Sequence, residues 1–203
     1  MITIEKLKEL EKENLTSIAP KLELQDIALL FNLLSEKDDN LRYKSFLLLQ
    51  QRSESTADVY PYWDALVEKL KSDNSYQRSI GLMLIAENVR WDQQKKFNAL
   101  ADQYLALCDD EKPVTVRQCI QSLVKIVPFN PDCIAKIADK LIGIDLMQRK
   151  ETQRKLLLTD ILNVLLECHK VQPQERVDRF ICEALTGGIL DEKTKKIIAA
   201  RYP

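Results

Sequence analysis

Apolar residues along this chain recur in blocks at helical spacing. Ile27, Leu30, Phe31 and Leu34 share one stripe within residues 24–36, and Val59, Trp63, Leu66, Val67 and Leu70 share one within 57–71. An i, i+3, i+4, i+7 pattern of this kind predicts an amphipathic helix for each stretch. Phe97, Leu100, Ala101, Tyr104 and Cys108 repeat the stripe, as do Ile134, Ile137, Ala138, Leu141 and Ile142. After each block come a polar turn and a second apolar-periodic stretch, at about 41–52, 75–90, 114–127 and 150–170. The last is almost continuously apolar from Leu156 to Leu166, which predicts a helix buried on most sides.

The blocks hold a register. Ile27, Trp63, Phe97, Ile134 and Val177 take equivalent places 34 to 43 residues apart. Near the start of the second helices stand Arg42, Arg78, Arg117 and Arg154, at intervals of 36, 39 and 37 residues. A supersecondary unit recurring at this period predicts an all-α helical solenoid of about five antiparallel helix pairs. The first helix of each pair is called outer and the second inner. One domain is expected over 1–203. Residues 1–20 are its N-terminal cap, with a short amphipathic helix over 4–14 stopped before Pro20. Four helix pairs fill 22–170. A capping pair fills 173–203, with helices over 174–186 and 191–201 parted by Thr186, Gly187 and Gly188. Asp38, Asp39 or Asn40, and Asp73 or Asn74, suit the N-caps of the first two inner helices, and Pro113 suits the first turn of the third. Gly81 aligns with Ser45, 36 residues earlier, and a small residue there predicts a close approach of neighbouring helices.

The turn and inner-helix segments DDNLRYKSFLLL, SDNSYQRSIGLMLI and DDEKPVTVRQCIQSLVKI carry an acidic turn followed by an early Arg. In this they resemble HEAT-type repeats of the armadillo-like α-solenoid family, over roughly residues 22–170. The fourth unit, KETQRKLLLTDILNVL, lacks the acidic turn. The resemblance implies a right-handed superhelix whose inner helices line a concave face, in a family made mostly of scaffolds and adaptors.

Composition adds little to this until charge is mapped. Four glycines in 203 residues fit helices better than loops or strands, and the net charge of −1 offers no long-range pull on nucleic acid or membranes. Counted by segment, however, the inner windows (40–52, 74–90, 112–127, 148–170) total +9, and the outer windows (22–39, 53–73, 91–111, 128–147) total −11. This sorting predicts a basic groove that attracts an acidic partner. The four periodic arginines suit an internal ladder with turn aspartates such as Asp38, Asp73 and Asp110. Lys44, Arg52, Arg90, Lys125, Arg149, Lys150 and Lys155 are the expected partner-binding residues.

Candidate chemistry is sparse. The glycines are dispersed, so no phosphate-binding loop is written into the chain. Cys108, Cys119, Cys133, Cys168 and Cys182 form no CxxC pair, and His169 is the only histidine. The cysteines are expected as small core residues in a reducing compartment. Cys168 and His169, neighbours on one helix, point apart and make a poor chelate. No metal, cofactor or small-molecule ligand is implied. No signal-peptide core precedes residue 14, and no apolar run reaches the roughly 18 residues of a spanning helix, so a cytoplasmic, non-membrane protein is expected. The sequence thus predicts a non-enzymatic interaction module that binds an acidic protein segment in a basic concave groove. The alternative is nucleic-acid binding through the same groove. A DNA-alkylation-repair glycosylase built on a HEAT-like solenoid is one version of it, with Trp63, Trp91, Asp92 and Arg90 imagined at its site. For Trp63 a core position is the simpler expectation, and for Trp91 and Asp92 a helix junction.

Overall fold

A computed structural model describes residues 1–202. It is all-helical, with 78% of residues in helices and no strand among the described residues. The chain divides into two compact units, Met1–Gln93 and Gln94–Pro203.

In the first unit, α1 (Ile4–Glu9) and α2 (Leu15–Ile18) precede two longer pairs: α3 (Leu24–Leu33) with α4 (Asp39–Ser55), and α5 (Trp63–Lys69) with α6 (Ser75–Asn88). Each pair packs together, and α4 packs on α6. The expected helix over 4–14 is broken. Leu10 turns extended after α1, and two 3-10 turns, Lys12–Asn14 and Ala19–Lys21, flank α2. Segments this short cannot repay helix nucleation alone, so packing sets their shape. Leu7 and Leu15 are fully buried. Buried Asp26 ties the segment down, accepting from the backbone N–H of Ile2 at 2.6 Å and of Glu23 at 2.9 Å.

The turn caps follow the sequence. Asp38 caps α4 by accepting from the N–H groups of Asn40 and Leu41, and Asn74 caps α6 through Tyr76 N–H. The outer helix expected over 57–71 shrinks to α5. Pro61 cannot donate to a preceding turn, and Tyr60–Tyr62 is a 3-10 turn. Gly81 behaves as its alignment with Ser45 predicts. A Cβ there would stand 2.9 Å from the carbonyl oxygen of Leu66 on α5.

In the second unit, α7 (Lys96–Ala106) and α8 (Pro113–Ile126) both pack on the 3-10 turn Leu107–Asp109 between them. Then come α9 (Ile134–Ile142), α10 (Glu151–Val171), α11 (Glu175–Thr186) and α12 (Glu192–Ala199). The apolar run of α10 has the predicted environment: it packs against α8, α9, α11 and α12, and Ile161, Leu162, Val164 and Leu165 are fully buried.

Polar ties within each unit keep the sequence period. Gln50 donates to Glu87, 37 residues on, and Asn88 to Ser53, 35 back. Lys95 pairs with Asp132 across 37 residues, Lys136 with Asp102 across 34, and Lys155 with Asp191 across 36. The hydrophobic period thus returns as the sequence spacing of these tertiary hydrogen bonds.

Candidate functional site

The periodic arginines fold back on the turns that precede them. Arg42 Nη1 donates to the Glu36 carbonyl at 3.0 Å, and Arg78 Nη1 to the Ser72 and Asp73 carbonyls at 2.8 and 3.1 Å. Arg154 reaches the carbonyls of Arg149 and Met147, both at 3.0 Å. Backbone oxygens left over at turns are thus among their acceptors. Asp38 accepts from the backbone N–H groups of Asn40 and Leu41, and Asp110 from that of Lys112. Arg42 also pairs with Asp39 at 2.5 Å. Arg117 differs. It grips Asp160 on α10 through Nε at 2.7 Å and Nη2 at 3.3 Å, while Gln121 donates to the same buried carboxylate at 2.9 Å. That contact raises the Arg117 guanidinium above its ordinary value.

The seven expected partner-binding residues fall into two groups, five half-buried and two exposed. Arg52 is built into the first unit. It pairs with Asp58 at 2.6 Å, donates to the Pro20 carbonyl at 2.7 Å, and its side chain is only 15% exposed. Arg90 lies in the 3-10 turn Val89–Trp91, 3.9 Å from fully buried Glu87, and donates to the Glu54 carbonyl at 2.8 Å. Arg149 reaches Asp109 and the Cys108 carbonyl, each at 3.4 Å. Lys125 is half-buried in the last turn of α8. Lys44 is half-buried as well, whereas Lys150 and Lys155 are exposed. Lys44 donates to the Lys8 carbonyl at 2.6 Å, and Lys155 pairs with Asp191 at the surface. Lys150, at the N-cap of α10, is exposed, with no side-chain hydrogen bond or ion pair among the described residues. Arg149, Lys150 and Lys155 cluster at the start of α10, whereas Lys44 and Arg52 stand at opposite ends of α4.

Observed helix bounds also redistribute charge. On α4, Arg42, Lys44 and Arg52 share the helix with Asp39 and Glu54. Arg78 on α6 is balanced by Glu87, α8 has Arg117 and Lys125 with no acid, and α10 has three bases and three acids. The inner helices total +3 and the outer helices α3, α5, α7 and α9 total −1. Most of the contrast counted over the wider windows therefore lies in the turns.

Exposed apolar residues add a feature that periodicity did not flag. Tyr43, Tyr76, Val114 and Leu156, one on each of the four inner helices and all near the helix start, are 47%, 64%, 52% and 48% exposed. The Arg42 guanidinium lies 5.6 Å from the Tyr76 ring centre, and Lys12 Nζ lies 5.3 Å from that of Tyr43. These residues lie off the buried stripes, and that mismatch was the available signal.

The residues considered for glycosylase chemistry have internal roles. Trp63 is core, at 3% exposure. Trp91 Nε1 donates to the Ser53 carbonyl at 2.7 Å, and Asp92 accepts from the Tyr60 hydroxyl at 2.7 Å. Burial, then Asp92, raise the Tyr60 phenol above its ordinary value. Cys108, Cys119, Cys133 and Cys168 are buried, and Cys182 is exposed. Burial pushes the Cys168 thiol up to about 12. His169 Nδ1 lies 2.6 Å from Asp178 Oδ1, with the ring beside Tyr202, so it turns away from Cys168. Among the described residues no three His, Cys, Asp or Glu side chains group to hold a metal ion, and no helix is long and apolar enough to cross a membrane.

No family model, no curated protein and no solved structure matches the chain.

Proposed function

We propose that this chain is a non-catalytic, HEAT-like right-handed solenoid module that binds an acidic segment of a partner protein along its inner helices. The observation that carries this reading is that each inner helix bears an exposed apolar residue near its start, Tyr43, Tyr76, Val114 or Leu156, with Lys12 and Arg42 over the two tyrosine rings. Exposed aromatic and apolar side chains next to Arg or Lys are what an interface core and its rim require. Lys150 and Lys155 supply charge from exposed positions. Lys44, Arg52, Arg90, Lys125 and Arg149 contribute field from half-buried ones.

The test is a pull-down from the native cell with the full chain, beside two variants. One carries Lys44→Glu, Lys150→Glu and Lys155→Glu, which removes no partner from a buried acid. The other carries Tyr43→Ala and Tyr76→Ala. A specific partner should be lost from both, and equal recovery by both would sink the proposal. The two tyrosines with cations over their rings also suit stacked bases, which favours single-stranded nucleic acid as a second reading. A gel shift at low salt decides it: no shift at micromolar protein removes nucleic acid, glycosylase chemistry included.

A further inference from the structure

We infer that the cavity beside Lys69, at the turn edge of the first unit, is a binding site for a carboxylate-bearing ligand. Lys69 is the last residue of the outer helix α5, and none of the four exposed apolar residues or the seven basic residues named above lines the cavity, so the inference does not depend on the partner reading.

The outer helices of the second unit show what such a cation normally meets. Lys136 reaches one repeat back to Asp102 at 2.8 Å, Lys140 to Asp109, and Arg176 to Asp139. Lys69 reaches one repeat back in the same way and finds the neutral hydroxyl of Ser35 at 3.3 Å. Its second partner is also neutral, Gln77 Oε1 at 2.6 Å, and Gln77 is itself fixed by donating to the Leu34 carbonyl at 2.7 Å. The Phe31 ring centre lies 6.0 Å away. No carboxylate stands within ion-pair distance of Lys69 among the described residues. An ammonium has three donors, and two are engaged here, leaving one.

This half-buried charge opens on a cavity of about 430 Å³, whose wall includes Lys37, Arg42, Ser72 and Asn74. The volume is in the range of small-ligand sites, roughly 300–1,000 Å³. Asn74 caps the fourteen-residue helix α6, so the positive end of that helix borders the cavity. Two acids, Glu36 and Glu68, also line it. Glu68 pairs outward with Lys71 at 2.7 Å. Burial pushes the Lys69 ammonium below its ordinary value, and no acid counters the shift, so neither rim carboxylate serves as its counter-ion. A ligand carboxylate would fill the remaining donor and restore the charge pairing that the second unit builds internally. Phosphate concentrates up to two negative charges on one centre beside Glu36 and Glu68, whereas succinate or a glutamate side chain presents one singly charged carboxylate at a time, so phosphate should bind more weakly.

The decisive measurement uses the full chain with ¹⁵N-labelled lysine, the Lys69 Nζ signal being assigned with Lys69→Arg. At constant ionic strength in chloride, the protein is titrated separately with sodium succinate, a capped triglutamate peptide and inorganic phosphate. The expected result is a saturable shift of the Lys69 signal with succinate or the peptide and a rise in its titration midpoint, while Lys136 and Lys140 stay in place. Whichever carboxylate binds with the lower Kd identifies the source as a free acid or an acidic side chain. No saturable shift with either overturns the site, and tighter binding of phosphate overturns the ligand class. Saturating carboxylate should also raise the unfolding midpoint of the wild type but not of Lys69→Met. An equal rise in both overturns the role of Lys69.

Discussion

Gly81→Ala opposes two effects of known sign. In a helix interior Ala is favoured over Gly by about 1 kcal/mol, so on an open face the substitution would stabilise. Here the added Cβ would meet the Leu66 carbonyl oxygen at 2.9 Å, Leu70 Cδ2 at 3.0 Å and Lys69 Cβ at 3.1 Å. Leu70 Cδ2 can yield, but the carbonyl belongs to α5 backbone, so the helix itself must move. Overpacking of this kind costs about 1–3 kcal/mol, which leaves a net loss of about 1 kcal/mol after the propensity gain. Gly81→Val should lose more. Both tryptophans, Trp63 and Trp91, lie in the first unit with Gly81, so their fluorescence during urea unfolding follows the perturbed part of the molecule. The control is Gly188→Ala, whose Cβ meets nothing within 4 Å. It should be neutral or stabilising by about 0.4–1 kcal/mol through the unfolded chain, read by far-UV circular dichroism. A rise in the fluorescence midpoint for Gly81→Ala would refute the close approach of α5 and α6.

Arg117→Met leaves the buried Asp160 carboxylate with Gln121 alone and should destabilise the second unit by about 1–3 kcal/mol, measured by circular dichroism. Adding Asp160→Leu should recover part of that loss, and strict additivity would mean the pair is not coupled. Asp191 caps α12 by accepting from Thr194 N–H at 2.7 Å, and Lys155 with that cap holds its carboxyl well below the usual range. A depressed carboxylate stabilises fully above its unfolded value near 4 and loses that contribution as pH falls further. Amide exchange at Thr194 should therefore accelerate on acidification below about pH 4, beyond the intrinsic pH effect, and Asp191→Asn should remove this dependence. One thiol of the five should react quickly with a disulfide reagent in the folded protein, and Cys182→Ser should abolish that phase; a fast phase that persists would mean a buried thiol is accessible.

How much of this was legible depends on whether the signal was local. Asp38, Asn74 and Pro113 announce helix starts because a cap acts on N–H groups two or three residues away. Gly81 was legible because it aligns with another small residue, the buried Ser45, one period earlier. The apolar run of α10 was legible because burial on most sides leaves little polar stripe, with Leu156 at its start the exposed exception. The breakup of residues 4–21 was not, since Leu7, Leu15 and the Asp26 carboxylate decide it from outside the segment. Nor were the partners of the basic residues. Lys155 meets Asp191 and Lys44 meets the Lys8 carbonyl, both 36 residues away, and a count of charge within one helix cannot see either. Tyr43 and Tyr76 were overlooked because a search for buried stripes passes over apolar residues outside them.

The spacing of these ties bears on how the chain tolerates changes of length. Donors and acceptors face each other across 31 to 43 residues, so each bond joins a helix pair to its neighbour within a unit. Removing or duplicating one whole pair would keep the helical phase of the remaining hooks, though not each donor's own acceptor. Inserting a few residues within an inner helix would instead rotate every later hook on that helix by about 100° per residue and unfasten the join. Changes of length in the turns, such as 186–188, leave that phase untouched and should be tolerated better than insertions inside a helix.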